Sequence, residues 1–345
     1  MQFHDPQLRQ RGRASVDFIA QLARVNTGLK REVDDAAADL MARSSHWPDD
    51  LDTSNQRLED ALAEQGLLGV QTLIGDWHAR MHGRIAIAAF DQIAEELAPL
   101  IQDYVSGPAS LTLDPDLPAP SYWQGVNFHR TTGGWDGHPH MGYIHGEIVH
   151  KKMVARFFPG GIFGQRRAVA EMAPQRDYRR ILDMGCSSGH FTTALQTVFP
   201  DADITGVDLS SRMLEHALRT ANSHGWGWQL WQCPAEATGF ANASFDLVAS
   251  YILLHELPET AVRAVFAEAL RVLEPGGQML MSDVTRYADL DAQAVWKADR
   301  AARFGGEPHW RESAQLDLAA IAHDAGFCDV SATGIYPHVV MGRKP

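Results

Sequence analysis

Residues 181–190 read Ile-Leu-Asp-Met-Gly-Cys-Ser-Ser-Gly-His, and residues 204–210 read Ile-Thr-Gly-Val-Asp-Leu-Ser. The first stretch is an apolar strand end that runs into a glycine turn and then a helix. Glycine is needed there because the backbone must pass close to a ligand with no Cβ in the way. The second stretch closes a neighbouring strand on one carboxylate, Asp208, placed to accept hydrogen bonds from the hydroxyls of a ribose. Together they describe a pocket for a nucleoside.

Working outward, strands and helices alternate from Arg179 onward. Strands are expected at 180–184, 203–208, 228–232, 245–250 and 278–284, with helices near 190–199, 211–223 and 259–272. Such alternation implies a parallel sheet with helices on both faces. After a helix at 313–325, the runs Asp329–Tyr336 and His338–Lys344 form a closing antiparallel pair. The fold expected is α/β: a Rossmann-like, doubly wound, seven-stranded sheet with an antiparallel last strand, plus a helical N-terminal domain.

The N-terminal region has a different texture. Val16, Ile19 and Ala23, then Val33, Ala37, Leu40 and Met41, recur at helical spacing. Trp-Pro-Asp-Asp at 47–50 breaks this region from further helices at 55–65, 67–80 and 84–105. Residues 1–105 are therefore expected to form a helical domain serving dimerisation or as a lid. Residues 106–165 hold most of the turn signals and a helix from Tyr143 to Phe158 that leads to Pro159-Gly-Gly161. They are expected to be a His- and aromatic-rich connector contributing to the substrate site, ahead of the main domain at 166–345.

The bulk numbers exclude several classes. The formal charge of −13 over 345 residues argues against a sequence-independent grip on nucleic acid. With 45% apolar and 21% charged residues, the composition is that of an ordinary globular protein. No run of 18 apolar residues exists, and the start lacks a secretory pattern. Cysteines at 186, 233 and 328 have no paired spacing. A cytoplasmic location, without a membrane or nucleic-acid partner, is the expectation.

The glycine turn also separates two nucleotide chemistries. A dinucleotide-binding turn wants Gly-x-Gly-x-x-Gly, because a pyrophosphate lies against the helix N-terminus. Here Gly185 and Gly189 are spaced Gly-x-x-x-Gly, and Asp183 precedes them. A carboxylate there repels a pyrophosphate and suits a cation, such as the ammonium of an amino-acid tail.

This arrangement resembles the class I S-adenosylmethionine-dependent methyltransferases (type-11-like) over residues 179–345. Leu182-Asp183-Met-Gly185-Cys186-Ser-Ser-Gly189 matches their first motif, with Ser187 where glycine is commoner. Val207-Asp208-Leu-Ser210, Phe245-Asp-Leu-Val248 and Leu270-Arg-Val-Leu-Glu-Pro-Gly-Gly277 match later strands and turns. The resemblance implies S-adenosyl-L-methionine as cofactor and an enzyme moving a methyl group to an O, N or S nucleophile of a small molecule. It places Asp183, Gly185, Cys186 and Gly189 at the methionine moiety, Asp208 at the ribose, and Leu209 and Met213 on the adenine side. Ala235 and Glu236 are expected near adenine, where Pro234 replaces the family's acidic residue, and Tyr251 beside the cofactor. A non-catalytic nucleoside-binding protein, or a nicotinamide-dependent oxidoreductase, is the alternative.

His255, just past the fourth strand, lies where an imidazole can accept a proton from a substrate hydroxyl. A second concentration stands in the connector, where five of the sixteen histidines fall within residues 129–150. Trp135, His140, Tyr143 and His145 are expected to form a substrate wall of aromatic rings and imidazoles. A metal is not expected: His145 and Glu147 do not share a helix face, and the spacing of His140, His145 and His150 suits an ion poorly. A homodimer through the N-terminal helices is expected from their apolar stripes.

Overall fold

The computed structural model describes residues 5–44, 47–64, 66–155 and 161–345. Four helices open the chain: α1 (Gln10–Ala42), α2 (Leu51–Ala63), α3 (Leu67–Asp91) and α4 (Ala94–Asp103). The periodic residues Val16, Ile19, Val33 and Ala37 are the buried face of α1. Two helices cover 67–105 as expected, but α3 runs on to Asp91, so the break falls before Ala94 and not at 81–83. Gly83 within it is closely approached by the connector; an added Cβ would lie 2.5 Å from Thr131 Oγ1.

The sheet domain contains β2 (Arg180–Met184), α7 (His190–Val198), β3 (Asp203–Asp208), α8 (Ser211–His224), β4 (Gln229–Gln232), β5 (Phe245–Tyr251), α9 (Glu259–Val272) and β6 (Leu273–Asp283). It ends with α10 (Ala292–Gly305), α11 (Trp310–Ser313), α12 (Leu318–Ala325), β7 (Cys328–Thr333) and β8 (His338–Arg343). Between the helical region and this domain lie β1 (Ser110–Thr112), α5 (Met141–Tyr143) and α6 (Gly161–Ala170). The seven expected strands are present, and the connector adds an eighth: β1 pairs in parallel with β4 at the sheet edge. The order is β1-β4-β3-β2-β5-β6-β8-β7, with β8 antiparallel to both β6 and β7.

Local chemistry explains the elements. Ser210 caps α8 by accepting from the Met213 amide, worth about 1 kcal/mol. Gly225 ends the helix in the left-handed conformation. In between, Met213, Leu214, Ala217, Leu218 and Ala221 bury one face at helical spacing. Strands β2 and β5 are buried along almost their whole length, as expected for a sheet covered on both faces.

Helix α10 was not expected from the sequence. Its Trp296 is buried in a cluster with Val33, Ala37, Leu58, Leu62 and Leu68, so it joins the sheet domain to the N-terminal helices. The expected helix at Tyr143–Phe158 appears as α5 continued by a π-wound segment, Ile144–Val154. Residues 156–160, including its expected end, lie outside the described residues. Among the described residues, no helix is long and apolar enough to cross a membrane.

Candidate functional site

Strands β2, β3, β4 and β5 all point their carboxyl ends at one crevice, at the place where strand order reverses between β2 and β5. A cavity of about 1010 Å³, counted to its open mouth, fills this crevice. Its floor is the strand ends and its roof is the connector: Tyr122, Trp123, Phe128, His129, Trp135, His145 and His150. This is the scale of a pocket for a small ligand with room beside it.

Of the expected cofactor residues, Gly185, Asp208, Leu209, Met213, Ala235, Glu236 and Tyr251 line the cavity. Gly185 sits at φ +70°, and a Cβ there would press to 2.7 Å from Leu253. Ser187 takes a left-handed φ of 49° where glycine is commoner. Its N–H donates to Asp208 Oδ2 at 2.9 Å, while Ser210 N–H donates to Asp208 Oδ1 at 2.8 Å. Burial nevertheless pushes Asp208 up to about 6 against those amide bonds. Each oxygen keeps a lone pair for a hydroxyl donor.

Asp183, Cys186 and Gly189 are not part of the cavity wall. Asp183 is fully buried; Thr192 donates to its Oδ2 at 2.6 Å, and Oδ1 has no partner among the described residues. Burial pushes this carboxyl up to about 7. Cys186 is buried in the core, its Sγ 2.9 Å from where a Gly206 Cβ would stand, and burial raises its thiol well above the ordinary value. Gly189 caps α7 at φ +85°, with Trp228 where its Cβ would be.

Glu236 lines the cavity, accepts a hydrogen bond from Tyr122 Oη at 2.5 Å, and has a buried Oε2 without a partner among the described residues. Arg166, missed by the sequence reading, also lines the cavity and lies 4.6 Å over the Tyr251 ring.

The substrate-wall residues divide. Trp135 and His145 line the cavity and meet edge to face at 4.6 Å. His140 and Tyr143 do not line it: both pack on Phe90, at 5.2 and 5.6 Å, and Tyr143 lies in the helical core behind the wall. The segment 144–154 is π-wound, so side chains five apart align, and the rings of His145 and His150 lie 4.1 Å apart, tilted by 59°. Spacing judged on an α-helix misplaces them. His150 Nδ1 in turn meets His190 Nδ1 at 2.9 Å. Burial lowers the pKa of all three imidazoles well below the usual value.

His255 lines the cavity and is 3% exposed. Its Nδ1 lies 2.8 Å from Asp283 Oδ1, at the end of β6. Its Nε2 points toward Glu256 Oε1 at 3.6 Å and Glu307 Oε2 at 3.9 Å. Burial alone would lower this imidazole's pKa, but Asp283, Glu256 and Glu307 outweigh it and push it up to about 10. Glu256 is raised by burial and by its neighbour Glu307, which is lowered because His129 beside it outweighs burial. Asp283 and Glu307 were missed because they are far from His255 in sequence; only the β5–β6 pairing and the turn after α10 bring them in.

The family described as "Methyltransferase domain" matches residues 181–277. A malonyl-[acyl-carrier protein] O-methyltransferase of Legionella pneumophila is 32% identical over 56% of this chain and 60% of its own length. The same enzyme of Hahella chejuensis is 36% identical over 34% of this chain and 40% of its own length. Arsenite methyltransferase of Mus musculus is 30% identical over 52% of this chain and 47% of its own. The chain thus spans between two and three fifths of the length of these three relatives. Among solved structures, phosphoethanolamine N-methyltransferase 2 of Haemonchus contortus with S-adenosyl-L-methionine aligns at TM-score 0.48 and 21% identity, covering 64% of this chain and 47% of that one. Residues 181–277 thus match the family described as "Methyltransferase domain", with the ordered motifs on the strand ends.

Proposed function

We propose that the protein transfers a methyl group from S-adenosyl-L-methionine to an oxygen, nitrogen or sulfur nucleophile of a small molecule. The observation that carries this is a single cavity lined on one side by the cofactor motifs and on the other by the aromatic and imidazole wall. Donor and acceptor would share one enclosed space.

The residues present fit the cofactor. The orphaned Asp183 Oδ1 and Glu236 Oε2 are acceptors awaiting N–H donors, and the molecule offers an ammonium and an adenine amino group. Asp208 would hold the ribose, Leu209 and Met213 the adenine faces, and Ala235 with Glu236 the adenine edge. Gly185 would admit the methionyl chain, Asp183 would face its ammonium, and Arg166 would pair with its carboxylate beside Tyr251. Cys186 and Gly189 would shape the turn from behind. The bound cofactor supplies a sulfonium, from which a methyl group leaves readily.

What remains for the chain is alignment and exclusion of water, since an in-line displacement gains most from geometry. Trp135, His145, Trp123 and Phe128 would hold the acceptor's body. His255, fixed by Asp283, would meet its nucleophilic atom at the polar end. In this reading residues 106–165 roof the substrate site over the domain at 166–345, and residues 1–105 serve as lid or dimerisation unit. Exposed Phe18, Val25, Val70, Leu73 and Trp77 on α1 and α3 support pairing of two copies. A mass measured in solution tests that pairing; a monomer contradicts it. The acidic charge and the absence of a membrane-spanning helix among the described residues support a cytoplasmic enzyme. The relatives named for malonyl-[acyl-carrier protein] raise an acceptor carried on a protein, but the roofed cavity favours a free small molecule.

The test is incubation with cofactor labelled in the methyl group and a panel of phenols, thiols, amines and acids, followed by mass spectrometry. A product heavier by one labelled methyl is expected. No product and no S-adenosylhomocysteine from any member contradicts the reading.

A further inference from the structure

At the acceptor end of the cavity, three distant segments converge. They are the turn Phe128–Arg130, the turn Leu254–Glu256 after β5, and the loop after α10 that carries Glu307. The loop is pinned in place: His129 N–H donates to Gly306 O at 3.2 Å, and a Cβ on Gly306 would strike Arg130 N at 2.7 Å. His129 and Arg130 both hold left-handed φ values, 51° and 54°, rare for residues with side chains.

The two imidazoles are oriented alike. His129 Nδ1 contacts Glu307 Oε1, and His255 Nδ1 contacts Asp283 Oδ1. Each therefore turns Nε2 toward the same carboxylate oxygen, Glu256 Oε1, at 3.5 and 3.6 Å. Glu307 Oε2 stands 3.9 Å from His255 Nε2. Ligand atoms about 2.1 Å from a tetrahedral ion lie about 3.4 Å from one another, so these separations leave a place for one cation. Imidazoles whose second nitrogen is held by a carboxylate are the usual metal-binding arrangement. A second observation points to a ligand: Glu307 is only 6% exposed, its Oε2 meets no N–H or hydroxyl donor among the described residues, and its carboxyl faces that of Glu256, so a cation or a shared proton must lie between them. Glu256 Oε2 is orphaned in the same way.

We propose that His129, Glu256 and Glu307, whose ligand atoms all lie within 4.8 Å of one another, bind one divalent first-row transition-metal ion beside His255. One imidazole and two carboxylates suit zinc, manganese or iron(II) better than calcium or magnesium, which prefer all-oxygen sets. His129, His255 and Glu256 also line the main cavity, so the ion faces the acceptor. Its consequence rests on the methyl-transfer reading: the acceptor is a compound with a hydroxyl or carboxylate oxygen to lay on the ion.

The test uses the full chain freed of metal by a chelator and dialysis. Zn²⁺ and Mn²⁺ are titrated calorimetrically, and Co²⁺ is followed by its visible absorption. S-adenosylhomocysteine is titrated into the same preparation. One ion per chain is expected, with Glu307→Gln and His129→Ala each weakening it about 10- to 100-fold. Circular dichroism confirms that the variants fold, and Glu256→Gln replaces either one that does not. No ion bound by wild-type protein that still takes S-adenosylhomocysteine overturns the metal site and leaves the methyltransferase reading standing. Equal ion affinity in wild type and folded variants overturns it too. Ion binding without S-adenosylhomocysteine binding upholds the site and overturns the cofactor reading instead.

Discussion

His255 Nδ1 and Asp283 Oδ1 stand 2.8 Å apart, brought together by the pairing of β5 with β6. The same carboxylate accepts the Leu254 amide at 2.6 Å and the Val284 amide at 2.7 Å. One buried group thus fixes the imidazole and the turn that carries it. Asp283→Asn puts an amide where three donors converge, so at least one is left without an acceptor. A loss of about 3 kcal/mol in urea unfolding is expected; unchanged stability contradicts the role given to Asp283.

Asp183 makes stability depend on pH. Its folded pKa of about 7 lies above the 3.8 of a free carboxyl, so the native state holds a proton that the unfolded chain has released between those values. The contribution is favourable below about pH 4 and is lost as pH rises through 7, by on the order of 4 kcal/mol. Asp183→Asn removes one titrating proton. Its unfolding free energy is expected to fall less between pH 4 and pH 7.5 than that of wild type. Parallel curves contradict this.

Ser187 tests the strained turn. At φ 49° a side chain costs what glycine does not. Ser187→Gly is expected to be about 1 kcal/mol more stable than Ser187→Ala, with cofactor affinity retained. The reverse order in thermal melts contradicts the left-handed conformation.

Gly142 joins the connector to the sheet domain. An added Cβ would lie 2.2 Å from Arg212 O and 2.7 Å from His216 Cβ, both on α8. Backbone there cannot yield cheaply, so Gly142→Ala is expected to cost about 3 kcal/mol or more and to weaken acceptor saturation. Wild-type stability contradicts the docking of the connector on α8.

The strand ends were legible in the sequence because their signals are local. Asp183, Gly185 and Asp208 each follow a short apolar run, and a strand followed by a glycine turn has few other readings. The substrate wall was half legible. Its aromatic and imidazole density was plain, but α-helical pitch was assumed for 144–154, where the backbone is π-wound. That kept His145 apart from His150, while density alone could not tell that His140 and Tyr143 face Phe90 instead of the cavity. Strand β1 escaped because three edge residues carry no periodicity. Helix α10 left signals that went unread: Asp291 caps it and Gly306 ends it. Glu307 follows directly. Its role depends on a turn meeting His129, 178 positions earlier, and contacts of that range leave no mark in a single sequence.

Calorimetric titration of purified protein with S-adenosylhomocysteine, against NAD as control, tests the central claim most directly. One site per chain for S-adenosylhomocysteine is expected, weakened at least tenfold by Asp208→Asn, with no heat from NAD. Binding of NAD alone, or of neither ligand by folded protein, would contradict the account.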